Sequence, residues 1–124
     1  MKDMKNNQDV VSSIVPAVYK TNQNGTGADL KEFDGAMLVF HGGALTDGTH
    51  TPAGKESNDN AAWNVIDSDD LEGALVDMVA NSVQRVGYKG SKRYIRAQMD
   101  SSGSTGMSYS ATVVRGFPHR APVE

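Results

Sequence analysis

Met107-Ser108-Tyr109-Ser110-Ala111-Thr112-Val113-Val114-Arg115 places Met107, Tyr109, Ala111 and Val113 on one side of an extended chain, and Ser108, Ser110 and Thr112 on the other. A period of two marks an antiparallel strand with one face on a core and the other in water. Just upstream, Asp100-Ser101-Ser102-Gly103-Ser104-Thr105-Gly106 is a turn-rich connection, and Lys92 to Met99 reads as the strand before it. This is the clearest pair of strands in the chain, and it sets the class as all-β.

Working back from that pair, Gln84 to Arg96 packs five cationic side chains (Arg85, Lys89, Lys92, Arg93, Arg96) and two tyrosines into one segment. Gly87 and Gly90 bracket a turn, so the segment reads as strand, turn, strand. Tyr94 and Ile95 between arginines argue against a solvated loop, and the cations argue against full burial. A half-buried strand whose charged edge or face meets something acidic is expected. Asp67, Asp69, Asp70 and Glu72 form an acidic cluster able to pair with it, within the subunit or across an interface.

The remaining segments fit the same class. Val10 to Tyr19 is strand-like, and Pro16 demotes it to an edge or broken strand. Asn24-Gly25 marks a turn. Ala36 to His41 is a short apolar run, expected to be buried on both faces. Gly42 to Asn60 is either two poorly apolar strands around a turn or a projecting loop. Ala61 to Ile66 is a further strand, with Trp63 and Val65 on one face and Trp63 as core anchor. Around Asp67 to Glu72, a Ser68 cap with one helical turn and then extended chain is expected. The expected core is Leu38, Phe40, Trp63, Val65, Ile95, Tyr109 and Val113. The sum is a β-sandwich or jelly roll of about six to eight short antiparallel strands. A single domain over residues 1–124 is expected: an extended arm at 1–8, a core at 9–115 and a proline-punctuated tail at 116–124.

Composition narrows the function classes. The net charge of −3 argues against a dedicated nucleic-acid binder, although Arg85, Lys89, Lys92, Arg93 and Arg96 with Tyr88 and Tyr94 could hold phosphates and bases. With no cysteine, a disulfide scaffold and a thiolate metal site are excluded. No apolar run reaches the length of a membrane span. Met1 to Gln8 is polar and lacks the apolar stretch of a secretory signal, so synthesis in the cytoplasm is expected.

No motif carries catalytic chemistry. His41, His50 and His119 lack the paired spacing of a zinc site, and His50 reads as an ordinary loop histidine. The Asp67 cluster fails the calcium-loop pattern, with Glu72 and Met78 where glycine and glutamate are required. Gly25-Thr26-Gly27 and Gly103 to Gly106 match neither phosphate-loop nor dinucleotide fingerprints. A non-enzymatic protein without cofactor or metal is expected.

Several pieces in order resemble small virion proteins encoded among the head genes of tailed bacteriophages. They are Ala28-Asp29-Leu30 with Phe33 and the strand through Phe40; Gly43 to Pro52; Glu56-Ser57-Asn58-Asp59 before Trp63; Asp70-Leu71-Glu72-Gly73; Val86 to Arg96; Ser108 to Val114; and the closing Ala121-Pro122-Val123. The resemblance spans about residues 9–123 and implies a β-rich structural component of the particle. A decoration or cement protein on the capsid exterior is the implied role, with the major capsid protein as partner and a homo-oligomer, commonly a trimer, as its form. A head–tail connector or tail component is the alternative, and a carbohydrate-binding β-sandwich a further one. The residues expected to make the partner contacts are Arg85, Lys89, Lys92, Arg93 and Arg96, with Phe117, His119 and Arg120 from the tail.

Overall fold

A computed structural model of the chain describes residues 2–120. Ten strands form two antiparallel sheets packed as a β-sandwich. They are β1 (Gln8–Tyr19), β2 (Gln23–Asn24), β3 (Ala28–Asp29), β4 (Phe33–Leu45), β5 (His50–Ser57), β6 (Asn64–Val65), β7 (Leu71–Glu72), β8 (Val83–Tyr88), β9 (Tyr94–Ser101) and β10 (Met107–Pro118). The front sheet runs β1-β10-β4-β8-β7; the back sheet runs β2-β9-β5-β6, with β3 also paired to β9. The fold class is as expected, but the strands are more numerous, and β1, β4 and β10 are long, at 12, 13 and 12 residues.

Alternation drives the packing. Met107, Tyr109, Ala111 and Val113 of β10 all point inward, as the sequence predicts. They meet Leu38 and Phe40 of β4, Val86 of β8, and Ile95, Ala97 and Met99 of β9. Gly54 lets the sheets approach here: a Cβ on it would lie 2.8 Å from Leu38 Cδ1 and 2.9 Å from Ile66 Cδ1. The run Ala36 to His41 is buried on one face only. Leu38 and Phe40 are enclosed, Met37 and Val39 are half-buried and His41 is exposed, because among the described residues no layer covers the outer side of the front sheet.

β1 is the edge of the front sheet, as Pro16 requires, and its register against β10 slips between Ser12 and Ile14 and again before Ala17. At the first slip Ser13 turns toward the back sheet. Its Oγ accepts the Ala97 N–H at 2.9 Å and donates to the Thr26 carbonyl, stitching the two sheets along one side.

Six connections cross between the sheets, and two of them fall in segments that read locally as hairpins. β8 and β9 lie in different sheets, so the basic segment 84–96 is a crossover and not a hairpin. The clear strand pair around 100–106 likewise divides between the back sheet (β9) and the front sheet (β10). Asp47 fixes that second crossover: its carboxylate accepts the N–H groups of Ser104, Thr105 and Gly106 at 3.0, 3.0 and 2.7 Å. Of the two readings of Gly42 to Asn60, two strands around a turn is the one observed.

Several local expectations are corrected. Trp63 is half-buried on the outside of the back sheet, and Val65 is 65% exposed; Ile66 is the residue that enters the core. Only Asn64–Val65 of the expected strand pairs with β5, at its end. Asp67, not Ser68, caps a single 3-10 turn at Ser68–Asp70, and the chain is then extended. The N-terminal arm contains a 3-10 turn at Lys5–Asn7, and β1 begins at Gln8. Residues 116–118, assigned to the tail, continue β10, with Gly116 opposite Gly35 and Pro118 opposite Phe33 at the strand's end. Proline is tolerated there because little ladder follows. Residues 121–124 of the expected tail lie outside the described residues.

Candidate partner-binding cleft

The end of the sandwich where β4 begins and β10 finishes is open. There the turn Leu30–Glu32, the β8–β9 crossover and the last residues after β10 surround a cleft of about 470 Å³. Lys92 and Arg93 stand on one wall, Lys31 and Glu32 on another, and Asp34 with His119 on the third. Tyr88 lies in the floor, its hydroxyl accepting the Lys92 N–H at 3.0 Å. Burial raises the Tyr88 phenol above its ordinary value and keeps it a neutral donor.

Two ion pairs set the walls. Arg93 grips Asp29 with two parallel bonds, Nε to Oδ1 at 2.9 Å and Nη2 to Oδ2 at 2.8 Å, and its guanidinium lies 5.1 Å from the Tyr94 ring. The Arg93 hydrogen bonds hold the Asp29 carboxyl below the usual carboxylate range, helped by the Lys31 N–H. His119 Nε2 sits 2.7 Å from Asp34 Oδ1, its Nδ1 3.8 Å from Glu32, and its backbone N–H bonds to the Glu32 carbonyl at 2.8 Å. Asp34 raises the His119 imidazole above its ordinary value. Among the described residues, Lys31 and Lys92 have no ion-pair partner.

A second, more apolar groove of about 410 Å³ adjoins on the outer front sheet, including Gly35, Gly87, Gly116, Met37 and Val114. Phe117 stands beside it, 77% exposed and in a left-handed conformation (φ 51°). Such a backbone costs about 1–3 kcal/mol for a non-glycine residue. Gly35 makes room for the ring, since a Cβ there would lie 2.7 Å from Phe117 Cδ2.

The eight expected contact residues therefore do not form one surface. Lys92, Arg93 and His119 line the cleft, and Phe117 borders the neighbouring groove. Lys89 pairs with Glu72 at 3.2 Å, and its N–H bonds to the Asp70 carbonyl, so the acidic cluster does meet the basic segment within the subunit. Arg85 is exposed on the outer front sheet beside Val39. Arg96 faces outward from the back sheet, its guanidinium 4.4 Å from the Trp63 ring centroid. Arg120 is exposed.

Three features near this end were not legible in the sequence. Arg115 pairs with Asp9 across β1 and β10, donates to the Asp29 carbonyl at 2.7 Å and covers Phe33, joining the first strand, the last strand and the Asp29 turn. Lys31 joins the cleft through that same turn. Glu56 points inward, 8% exposed, with Oε2 unpartnered. Burial raises its carboxyl above the usual range; Asp70 and Asp67 reinforce the shift and Lys92 opposes it. Alternation along β5 was the available signal for Glu56, obscured by the polar character of that strand.

His50 is a strand residue, not a loop one, and is buried. Its Nε2 lies 3.0 Å from the Asp47 carbonyl, which can only accept, so in the neutral ring Nε2–H donates there and Nδ1 accepts a hydrogen bond from the Ser101 hydroxyl at 2.9 Å. Ser101 in turn accepts from the Tyr109 hydroxyl at 2.8 Å. A serine donating to an oriented histidine resembles the start of a nucleophilic dyad. Here, however, the adjacent N–H groups of Ser104, Thr105 and Gly106 all go to the Asp47 carboxylate, leaving none of the three to stabilise an oxyanion. The arrangement closes the second end of the sandwich.

Among the described residues no group of three or more His, Asp or Glu side chains is placed to hold a metal ion. Among these residues, too, no helix is long and apolar enough to cross a membrane. Comparison of the chain with protein-family models, curated proteins and solved structures finds no match.

Proposed function

We propose that the chain is a non-enzymatic structural protein of a tailed-bacteriophage virion that binds the assembled capsid as a decoration or cement protein. The observation that carries this reading is the convergence of Lys92, Arg93 and His119, from two distant segments, on one cleft beside the exposed Phe117. Aromatic and arginine side chains at a concave patch are the composition of protein-contact hot spots. A left-handed, outward-facing phenylalanine is a strained feature of the kind that clusters at ligand clamps. The partner is the major capsid protein on the capsid exterior, and the protein acts as a homo-oligomer, a trimer in the form the resemblance implies. Many modest contacts repeated over a shell give strong retention through avidity.

A head–tail connector or tail component is the second reading. The uncovered outer face of the front sheet favours it, with Met37, Val39 and Val114 half-buried and Val10 and Val83 exposed, since subunits of a ring or tube need such faces. The carbohydrate reading is weakened because Arg96 lies over the Trp63 ring.

Light scattering of the purified protein, followed by sedimentation with empty heads, tests the proposal. A stable oligomer that pellets with heads in many copies supports the cement role. Binding restricted to a single vertex supports the connector reading, and a monomer that ignores heads overturns the cement role.

A further inference from the structure

The outer face of the back sheet carries an arrangement that the protein's own contacts do not explain. Lys55 of β5 and Arg96 of β9 are direct cross-strand neighbours. The inward-facing pair beside them is Gly54 and Ala97, so both cations point out from the same face. Like charges placed opposite each other destabilise a sheet. Counter-ions are not scarce, since the chain has 15 acidic residues against 12 lysines and arginines. Yet among the described residues no carboxylate pairs with Lys55 or Arg96, and the Arg96 guanidinium makes no hydrogen bond.

Arg96 is nevertheless held in place. The Trp63 ring centroid lies 4.4 Å from its guanidinium carbon. Trp63 is positioned in turn by the loop before it, where Asp59 Oδ1 accepts the N–H groups of Ala61 and Ala62 at 3.0 and 2.9 Å and the hydroxyl of Ser57. Gly27 accommodates the indole, since a Cβ there would lie 2.8 Å from Trp63 Cη2. Arg96 Nε is buried without a partner, and so is Oε1 of Gln98, two residues along the same face. Burial is the sole cause that lowers the Arg96 pKa from its ordinary value; no acid offsets it. The result is a stacked, partly desolvated guanidinium with a second cation beside it.

We propose that Lys55, Arg96 and Trp63 form a carboxylate-binding site that receives an acidic side chain of a protein partner. The planar guanidinium fork matches a carboxylate in two-point geometry, and Lys55 adds the second charge. A tryptophan and an arginine together are the residues most enriched in interface hot spots, which favours a protein source for the carboxylate. The inference rests on the reading above in taking the partner to be a protein, and it adds a contact surface on the back sheet, separate from the cleft.

Trp63 is the only tryptophan, so its emission reports on this site directly. The full chain is titrated at low salt with a capped oligoglutamate peptide, and in parallel with capped oligoglutamine, inorganic phosphate and oligogalacturonate. The expected result is a saturable change in Trp63 emission with oligoglutamate alone, suppressed by added salt. Arg96→Gln should weaken that binding by about tenfold or more, the loss of one charge-assisted contact. Lys55→Gln, between Arg96 and the exposed Val65 on the same face, should weaken it too, and it keeps the test valid if Arg96→Gln does not fold. No saturable change with oligoglutamate overturns the proposal. An equal response to oligoglutamine, or a response confined to phosphate or to oligogalacturonate, overturns it as well. The two readings fail separately: heads bound equally well by wild type and Arg96→Gln sink this site and leave the virion role intact. Oligoglutamate binding by a protein that ignores heads does the reverse.

Discussion

Arg93 and Asp29 meet in a two-point ion pair that ties the β8–β9 crossover to the turn after β3, with Nε on Oδ1 at 2.9 Å and Nη2 on Oδ2 at 2.8 Å. Both side chains remain substantially exposed, so the pair positions the cleft wall more than it stabilises the fold. Arg93→Glu should therefore leave circular dichroism unchanged and lower the melting temperature only slightly, while sharply reducing occupancy on empty heads in a sedimentation assay. Unchanged occupancy would remove Arg93 from the contact surface.

Asp47 gives the protein an acid-sensitive crossover. Three backbone N–H bonds, led by Gly106, hold its carboxyl below the usual carboxylate range. A depressed folded-state pKa contributes stability that is present above the unfolded pKa of about 4 and lost as pH falls through the folded value. Urea midpoints measured between pH 7 and pH 2 should show Asp47→Asn destabilised at neutral pH, with a shallower acid limb than wild type. Parallel curves would show that the three bonds contribute nothing that depends on pH.

Glu56 works with the opposite sign. Its folded-state pKa is raised, led by burial. Ionisation is thus resisted in the folded state, and stability declines as pH rises from the unfolded pKa through the folded one. Glu56→Gln removes the titrating group and should raise neutral-pH stability by on the order of 1 kcal/mol, with no gain below about pH 4. Chemical denaturation at the two pH values decides; a loss at neutral pH would mean that Lys92 and Tyr88 favour the carboxylate more than burial disfavours it.

The approach of the two sheets at Gly54 should be intolerant of bulk. Gly54→Ala places a methyl within 3 Å of Leu38 Cδ1 and Ile66 Cδ1 and should cost about 1–3 kcal/mol. Leu38→Ala alone should cost about 2–5 kcal/mol by opening a cavity. The double variant should be less destabilised than the sum, because the two changes share one space. Strict additivity would place the strain elsewhere.

His119 fastens the chain after β10 to the turn at Glu32. Its pKa is raised, first by the hydrogen bond to Asp34 and then by that residue's charge. This contribution is fully present below the unfolded value of about 6.5 and is lost as pH rises through the higher folded value. Hydrogen exchange of the His119 amide, corrected for its intrinsic pH dependence, should accelerate across that window, and Asp34→Asn should abolish the step. A pH-independent corrected rate in wild type would show that the charge pair does not hold the segment.

Alternation is the signal that this chain carries locally. Met107 to Val113 fixed a strand with a buried face, Pro16 fixed an edge, and the scarcity of helical periodicity fixed an all-β class, because side-chain direction along an extended chain is a local property. Leu38, Phe40, Ile95, Tyr109 and Val113 were readable as core for the same reason. Tertiary structure alone decided which strands became neighbours. Segment 84–96 has the local signals of a hairpin, yet β8 and β9 join different sheets, and that crossover separates Arg85, Arg93 and Arg96 onto three surfaces. Large aromatics usually anchor a core, which is the expectation for Trp63; the loop shaped by Asp59 and the space left by Gly27 turn it outward onto Arg96 instead. The cleft joins residues as far apart in the chain as Leu30, Arg93 and His119, and no local pattern encodes that meeting, since it depends on strand order and register across two sheets.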